Sequence, residues 1–298
     1  MSESREAARE RARELRAEHA KRDRRRRIGL FAGIVGGVLV AALIITVVLI
    51  TSVRPQTRGP QNMLSDGVKI GDGFTAVRTP ALRVGETPVA SDPNPTDVVD
   101  IQIYYDYLCP NCGAFEERNG AQLRDWIEND AATVEYHPIA IFTSKSNGTK
   151  YSLRAANAAA CVAELAPDEF FAFHEALFAD QPEENTPGYS DDELVEIAQT
   201  AGVTNIGNVE KCIDQQRFRT WVNEATQRAL AGPIAGTDVA SIESTPTIIV
   251  NGQVFAYTTN FDPNEFAQFV AKAAGESFSE NPTPTPTPTP SSTATPAP

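Results

Sequence analysis

The stretch "YYDYLCPNCGAF", residues 104–115, sets two cysteines two residues apart directly behind an aromatic run. A Cys-x-x-Cys pair can be a metal clip, a structural staple or a pair of reacting thiols. A structural zinc site usually takes four Cys or His ligands. Beyond Cys109 and Cys112 the chain offers Cys161, Cys212 and three histidines, none of which makes a second close pair. A metal clip is therefore disfavoured. A permanent bridge across so tight a loop would remove little chain entropy and contribute little stability. Thiol chemistry is left as the reading to develop.

The flanking residues set the pair in a fold. Upstream, "VVDIQIYYDY" (98–107) is β-branched and aromatic and reads as a buried strand. Downstream, "CGAFEERNGAQLRDWIEN" places Phe115, Leu123, Trp126 and Ile127 at helical spacing. "ATVEYHPIAIF" (132–142) reads as a second strand. A long helical stretch follows: "LRAANAAACVAEL", "PDEFFAFHEALFAD" and "SDDELVEIAQTAG", the last with Ser190 as N-cap and Glu193 completing a capping box. "DQQRFRTWVNEATQRALAG" then carries Phe218, Trp221, Val222, Ala225 and Ala229 on one face. "TPTIIVNGQVF" reads as two short strands joined by Asn251-Gly252, a strong hairpin signal. "DPNEFAQFVAKAAG" closes with a helix started by Asp262 and Pro263. Residues 96–278 thus make one α/β domain.

The segments outside this domain have different compositions. The first 27 residues hold 11 Lys/Arg and 6 Asp/Glu, which leaves 15 basic and 33 acidic residues for the rest. An acidic main body argues against nucleic-acid binding, which needs cations to neutralise phosphates. Between the two parts lies "IGLFAGIVGGVLVAALIITVVLITSV" (28–53), 26 residues without a charge. A membrane-spanning helix needs about 20 apolar residues. Because "KRDRRRR" abuts its N-terminal end, the positive-inside rule places residues 1–27 in the cytoplasm and the remainder outside. The run is too long for a cleaved signal peptide, and "ITSVRPQ" is a poor cleavage site. A single-pass signal anchor in the cell membrane is the expectation. Residues 54–95, rich in Pro and Gly, read as a linker and lead-in, with "GVKIG" and "ALRV" as short edge strands. Residues 279–298, with alternating Pro and Thr, read as a disordered or polyproline II tail.

A strand leading into Cys-Pro-x-Cys, an interposed helical block, and Thr-Pro before a hairpin and a final helix resemble the DsbA-like branch of the thioredoxin superfamily. The matching pieces are "YYDYLCPNC", "FFAFHEALF", "CIDQQRF" and "STPTIIVNG", in the expected order. The resemblance implies a thioredoxin fold with a helical insertion near residues 149–232. It also implies that Pro246 is cis and lies against the cysteines, leaving the backbone of Thr245 free to pair with a substrate strand.

At the first turn of a helix, the Cys109 sulfur would face unpaired backbone N–H groups and the positive end of the helix dipole. Such positions pull a cysteine pKa from about 8.5 to between about 3.5 and 7.5. Cys109 is therefore the expected exposed, attacked sulfur and Cys112 the less exposed resolving thiol. Pro110 suits a helix start. Asn111 stands where strongly oxidising relatives often carry His, so it can supply a hydrogen bond but no charge. Asp106 matches the Asp of the family pattern; it reads equally as a group that tunes the thiols or accepts a proton and as a solvated or capping carboxylate. Glu135 is a weaker candidate for the tuning role. His174 and His137 read as packing residues.

Cys161 and Cys212 lie on the apolar faces of two helices in the insertion. Outside the cell they are expected to form a structural disulfide, as in some relatives; the alternative is two buried free thiols. The combined expectation is an extracytoplasmic thiol:disulfide oxidoreductase, acting as an oxidase on secreted proteins with free thiols. By resemblance it would be reoxidised by a quinone-linked membrane protein and need no organic cofactor. Two alternatives are a reductase or isomerase of the same fold, and a surface adaptor that binds unfolded chains.

Overall fold

A computed structural model describes residues 58–258 and 260–280, with Gly37, Ala41 and Ala42 before them. Met1–Pro55 and Gln56–Pro298 are separate units, and the fold belongs to the second. The expected cytoplasmic segment, nearly all of the expected membrane span, and the tail beyond Glu280 lie outside the described residues. Among the described residues no helix is long and apolar enough to cross a membrane.

The elements run β1 (Val68–Gly71), β2 (Thr75–Ala76), β3 (Val99–Tyr105), α1 (Pro110–Glu128), β4 (Ala132–Pro138), α2 (Tyr151–Leu165), α3 (Phe170–Ala179), α4 (Asp191–Thr200), α5 (Ile206–Asp214), α6 (Arg219–Ala231), β5 (Thr247–Val250), β6 (Gln253–Val254) and α7 (Pro263–Glu280). The strands form one mixed sheet in the order β2-β1-β4-β3-β5-β6. β3 and β4 are parallel and joined through α1, as a parallel pair requires a crossover. The other pairings are antiparallel.

Strand alternation divides the buried residues between two faces. Ile101, Ile103 and Tyr105 of β3, with Val134 and Tyr136 of β4, share the main core with Phe115, Leu123 and Ile127 of α1. Tyr104 and Ile249 point the other way, into a smaller cluster with Ile139, Ala229, Ile234 and Ile242.

The lead-in departs from the expected linker. Val68–Gly71 is an inner strand, held between β2 and β4, whereas Ala81–Val84 forms no strand. Met63, Val68, Ile70, Ala76 and Leu82 are all buried, so the folded unit begins well before residue 96. The physical reason is the open side of β4: its backbone N–H and C=O groups need a partner, and the proline-free run after Pro60 supplies one.

Helices α2–α6 fall in the expected insertion. Small alanines bury α2 on nearly every side, from Tyr151 to Ala163. Trp221, Val222, Ala225 and Ala229 of α6 are buried as their spacing predicts. The α4 capping box is complete: Ser190 Oγ accepts from the Glu193 N–H, and the Glu193 carboxylate accepts from the Ser190 N–H. Asn251 and Gly252 turn β5 into β6 with φ of 45° and 80°, the left-handed pair that a two-residue hairpin needs.

Candidate active site

β3 ends at Tyr105, a short turn before α1 begins at Pro110. Cys109 is the N-cap residue of α1, and Pro110 occupies the first helical position, where a missing N–H costs nothing. The Cys109 carbonyl accepts from the Cys112 N–H at 3.0 Å and the Gly113 N–H at 3.2 Å, closing the first turn. The Cys109 N–H in turn donates to the Asp106 carbonyl at 3.0 Å. Both cysteines are free thiols.

Exposure does not divide them. Cys109 and Cys112 are each only 1% exposed, which corrects the expectation of an open Cys109 sulfur. Pro110 and Asn111 face solvent instead, and the Thr245-Pro246 turn lies against Cys109. The division between the thiols is electrostatic. The Cys109 pKa is pulled down to about 7, first because the Cys112 thiol donates to its sulfur. The Thr245 hydroxyl and the backbone N–H groups of Cys112 and Asn111 add to this, while burial opposes it. Cys112 is pushed well above its ordinary value, by burial first and then by the Cys109 sulfur it serves.

Thr245-Pro246 is cis. Cys109 Sγ donates to the Thr245 carbonyl at 3.2 Å, so in this dithiol state that carbonyl is engaged by the enzyme's own sulfur. The Thr245 hydroxyl is buried without a hydrogen-bond partner, which leaves it free to turn toward a thiolate. Tyr257 Oη donates to the Pro246 carbonyl at 3.0 Å and holds the turn from the far side.

Asp106 is fully buried, and its carboxylate accepts from the backbone N–H of Leu108 and of Phe142, both at 2.9 Å. Burial lifts its pKa to about 6 against those two bonds. This is the capping role: the carboxylate fixes the turn that presents Cys109. Glu135 lies on the opposite sheet face, where it accepts from Ser65 and Ser91, and does not reach the cysteines. His137 is buried on that same face and stacks on Tyr104 with centroids 4.2 Å apart. His174 packs beneath the site, linking Tyr107 Oη at 3.3 Å to Glu116 at 3.2 Å. Cys161 and Cys212 are joined as a disulfide between α2 and α5, with Cα atoms 5.8 Å apart.

Two site residues are absent from the sequence reading. Tyr257 sits in an irregular segment after β6. Gln181, just past α3, donates to the carbonyls of Tyr107 and Cys109. Neither position carries a periodicity or a motif that would have marked it. Among the described residues no group of three or more His, Cys, Asp or Glu could hold a metal ion.

Comparison with known proteins points to the same fold and the same class of chemistry. Residues 85–272 match the family model described as thioredoxin. Disulfide bond formation protein D of Bacillus subtilis is 26% identical over 195 residues, 65% of this chain and 80% of its own length. Among solved structures, the reduced disulfide bond oxidoreductase DsbG of Mycobacterium tuberculosis is 28% identical with a TM-score of 0.53, covering 71% of this chain and 88% of that one. Oxidised DsbA of the same organism is 28% identical with a TM-score of 0.52, covering 70% and 93%.

Proposed function

The chain belongs to the thioredoxin family and is a thiol:disulfide oxidoreductase, and we propose that it works as an oxidase outside the cell membrane, forming disulfides in secreted proteins. The observation that carries the chemistry is a pair of free thiols in the first turn of α1, with the cis Thr245-Pro246 turn against Cys109, where the Cys109 thiol is pulled down and the Cys112 thiol pushed up. A client thiolate attacks Sγ of Cys109 in the oxidised Cys109–Cys112 bridge, and Cys112 leaves with the electron pair and takes up a proton. A second client thiolate then attacks the client sulfur of the mixed disulfide. Cys109 leaves as thiolate, the client gains a disulfide, and the enzyme holds two electrons. A leaving thiol with a low pKa departs faster, so the site favours this last step.

The direction of flow rests on different grounds. A pKa of about 7 stabilises the reduced form at neutral pH by less than about 1 kcal/mol, on the order of 10 mV for a two-electron couple. Electrostatics at Cys109 speeds exchange more than it biases it. The oxidase reading is supported by the charge asymmetry around residues 28–53, which favours an oxidising compartment, and by the naming of the Bacillus subtilis relative for disulfide bond formation. Reoxidation would then fall to a quinone-linked membrane protein, as the family resemblance implies. The alternative is a reductase or isomerase of the same fold, which the same pair of thiols would serve.

Equilibration of the Cys109/Cys112 couple with glutathione, paired with refolding of a reduced client, separates these readings. An oxidase should show a potential well above thioredoxin's, which is about −270 mV, and restore client disulfides without added oxidant in a single turnover. A potential at or below that value contradicts the proposal. Protease added outside intact cells should digest residues beyond Arg54 and spare the first 27.

A further inference from the structure

We propose that Gln181 is a positioning residue for the Cys109–Cys112 reaction, a brace from the helical insertion that fixes the turn on which the Cys109 thiolate depends. The inference rests on the thiol:disulfide activity and not on its direction.

Gln181 follows α3 by two residues, yet its Nε2 donates to the Tyr107 carbonyl at 3.1 Å and the Cys109 carbonyl at 2.9 Å. Those two carbonyls bracket the passage from strand to helix. The Cys109 carbonyl also accepts the Cys112 and Gly113 N–H groups, so the peptide that Gln181 holds is the one that closes the first turn. That turn aims the Asn111 and Cys112 N–H groups at the Cys109 sulfur and brings the Cys112 thiol to it.

The brace is seated on both sides. A Cβ at position 113 would come within 2.2 Å of Gln181 Oε1, so a glycine there leaves room for the amide to lie along the helix start. The residue before it is anchored separately: the Tyr189 hydroxyl donates to the Asp180 carbonyl. Tyr189 itself packs edge-on against buried Tyr151 of α2. The role needs N–H donors. A carboxylate of the same shape would set acceptor oxygens against two carbonyl oxygens, where Gln181 presents N–H donors.

Gln181→Glu keeps the shape and reverses the donor, and Gln181→Ala removes the brace. The test is the rate of Cys109 alkylation by iodoacetamide against pH in the full reduced protein, with the alkylated residue identified by mass spectrometry. The thermal midpoints of the oxidised and reduced forms are measured alongside. The wild-type rate should titrate near pH 7. Both variants should titrate at higher pH, Gln181→Glu furthest. A shift of one unit lowers the thiolate fraction at pH 7 roughly fivefold. A purely structural role would lower both thermal midpoints and leave the alkylation midpoint in place, and that result overturns the proposal. If wild type shows no thiol titrating near 7, the reading of the site fails instead.

Discussion

Cys109 and Cys112 stand three positions apart at the start of α1, whereas Cys161 and Cys212 lie 51 positions apart on α2 and α5. Both pairs are almost fully buried, yet only the second is bridged. Burial therefore does not decide which cysteines react. What decides is the backbone each sulfur meets. In the middle of α2 the peptide N–H groups are already used by the helix, so Cys161 sees an apolar wall of alanines. At the N-cap of α1 the Asn111 N–H has no helical acceptor, and together with the Cys112 N–H, which also closes the first turn, it faces the Cys109 sulfur. The same residue type becomes a hinge of exchange in one place and a staple in the other.

The comparison breaks most readily at the active pair. Cys109→Ser should reduce exchange to background, and Cys112→Ala should trap clients as mixed disulfides that survive a non-reducing gel. Cys112 variants that turn over normally would show that resolution uses another thiol. Loss of the staple should cost less than function and more than any single hydrogen bond. Replacing both Cys161 and Cys212 with Ala should lower stability to urea by up to about 4 kcal/mol, the chain-entropy value for a loop of this length. Alkylation of Cys109 should still titrate near pH 7 in that variant.

The third effect is a pH dependence confined to the active pair. The folded pKa of Cys109 lies below its unfolded value, so the thiolate stabilises the folded, reduced protein above the unfolded pKa of about 9. That contribution fades as pH falls through the folded pKa of about 7. Two pH units set its ceiling at roughly 2–3 kcal/mol. The potential carries the same signature. It should fall by about 59 mV per pH unit below 7, where reduction takes up two protons, and by about 30 mV above it. A single unbroken slope to pH 9 would place Cys109 among ordinary thiols.

The smallest expected effect is at Asn111, whose side chain is exposed while its N–H faces the sulfur. Asn111→His should lower the Cys109 pKa below 7 by adding a cationic donor at the helix start, seen as thiolate absorbance at 240 nm persisting to lower pH.

How much of this was readable in the residues follows from the range of each interaction. The β3–Cys-Pro-x-Cys–α1 unit, the Ser190 box, the α6 face and the Asn251-Gly252 hairpin depend on neighbours within a few residues, and the pattern of side chains exposes them. The membership of β1 in the inner sheet depends on β4, more than 60 residues away, and composition alone suggested a linker there. The partner that meets the buried Cys109 sulfur is the Thr245 carbonyl, brought in from the far end of the domain. The sequence around Asp106 suits more than one role, and the Phe142 N–H, 36 positions further on, claims one of its oxygens and fixes the capping one. Gln181 and Tyr257 act through single side chains reaching across the fold, and a lone polar or aromatic residue in a loop leaves no pattern.

The most direct test is the pH profile of alkylation in the reduced wild-type protein, read separately at each cysteine. The account predicts that Cys109 reacts first with a midpoint near pH 7, that Cys112 stays unmodified up to about pH 9, and that Cys161 and Cys212 remain joined. Faster reaction at Cys112, or a common midpoint for both active-site thiols, would contradict it.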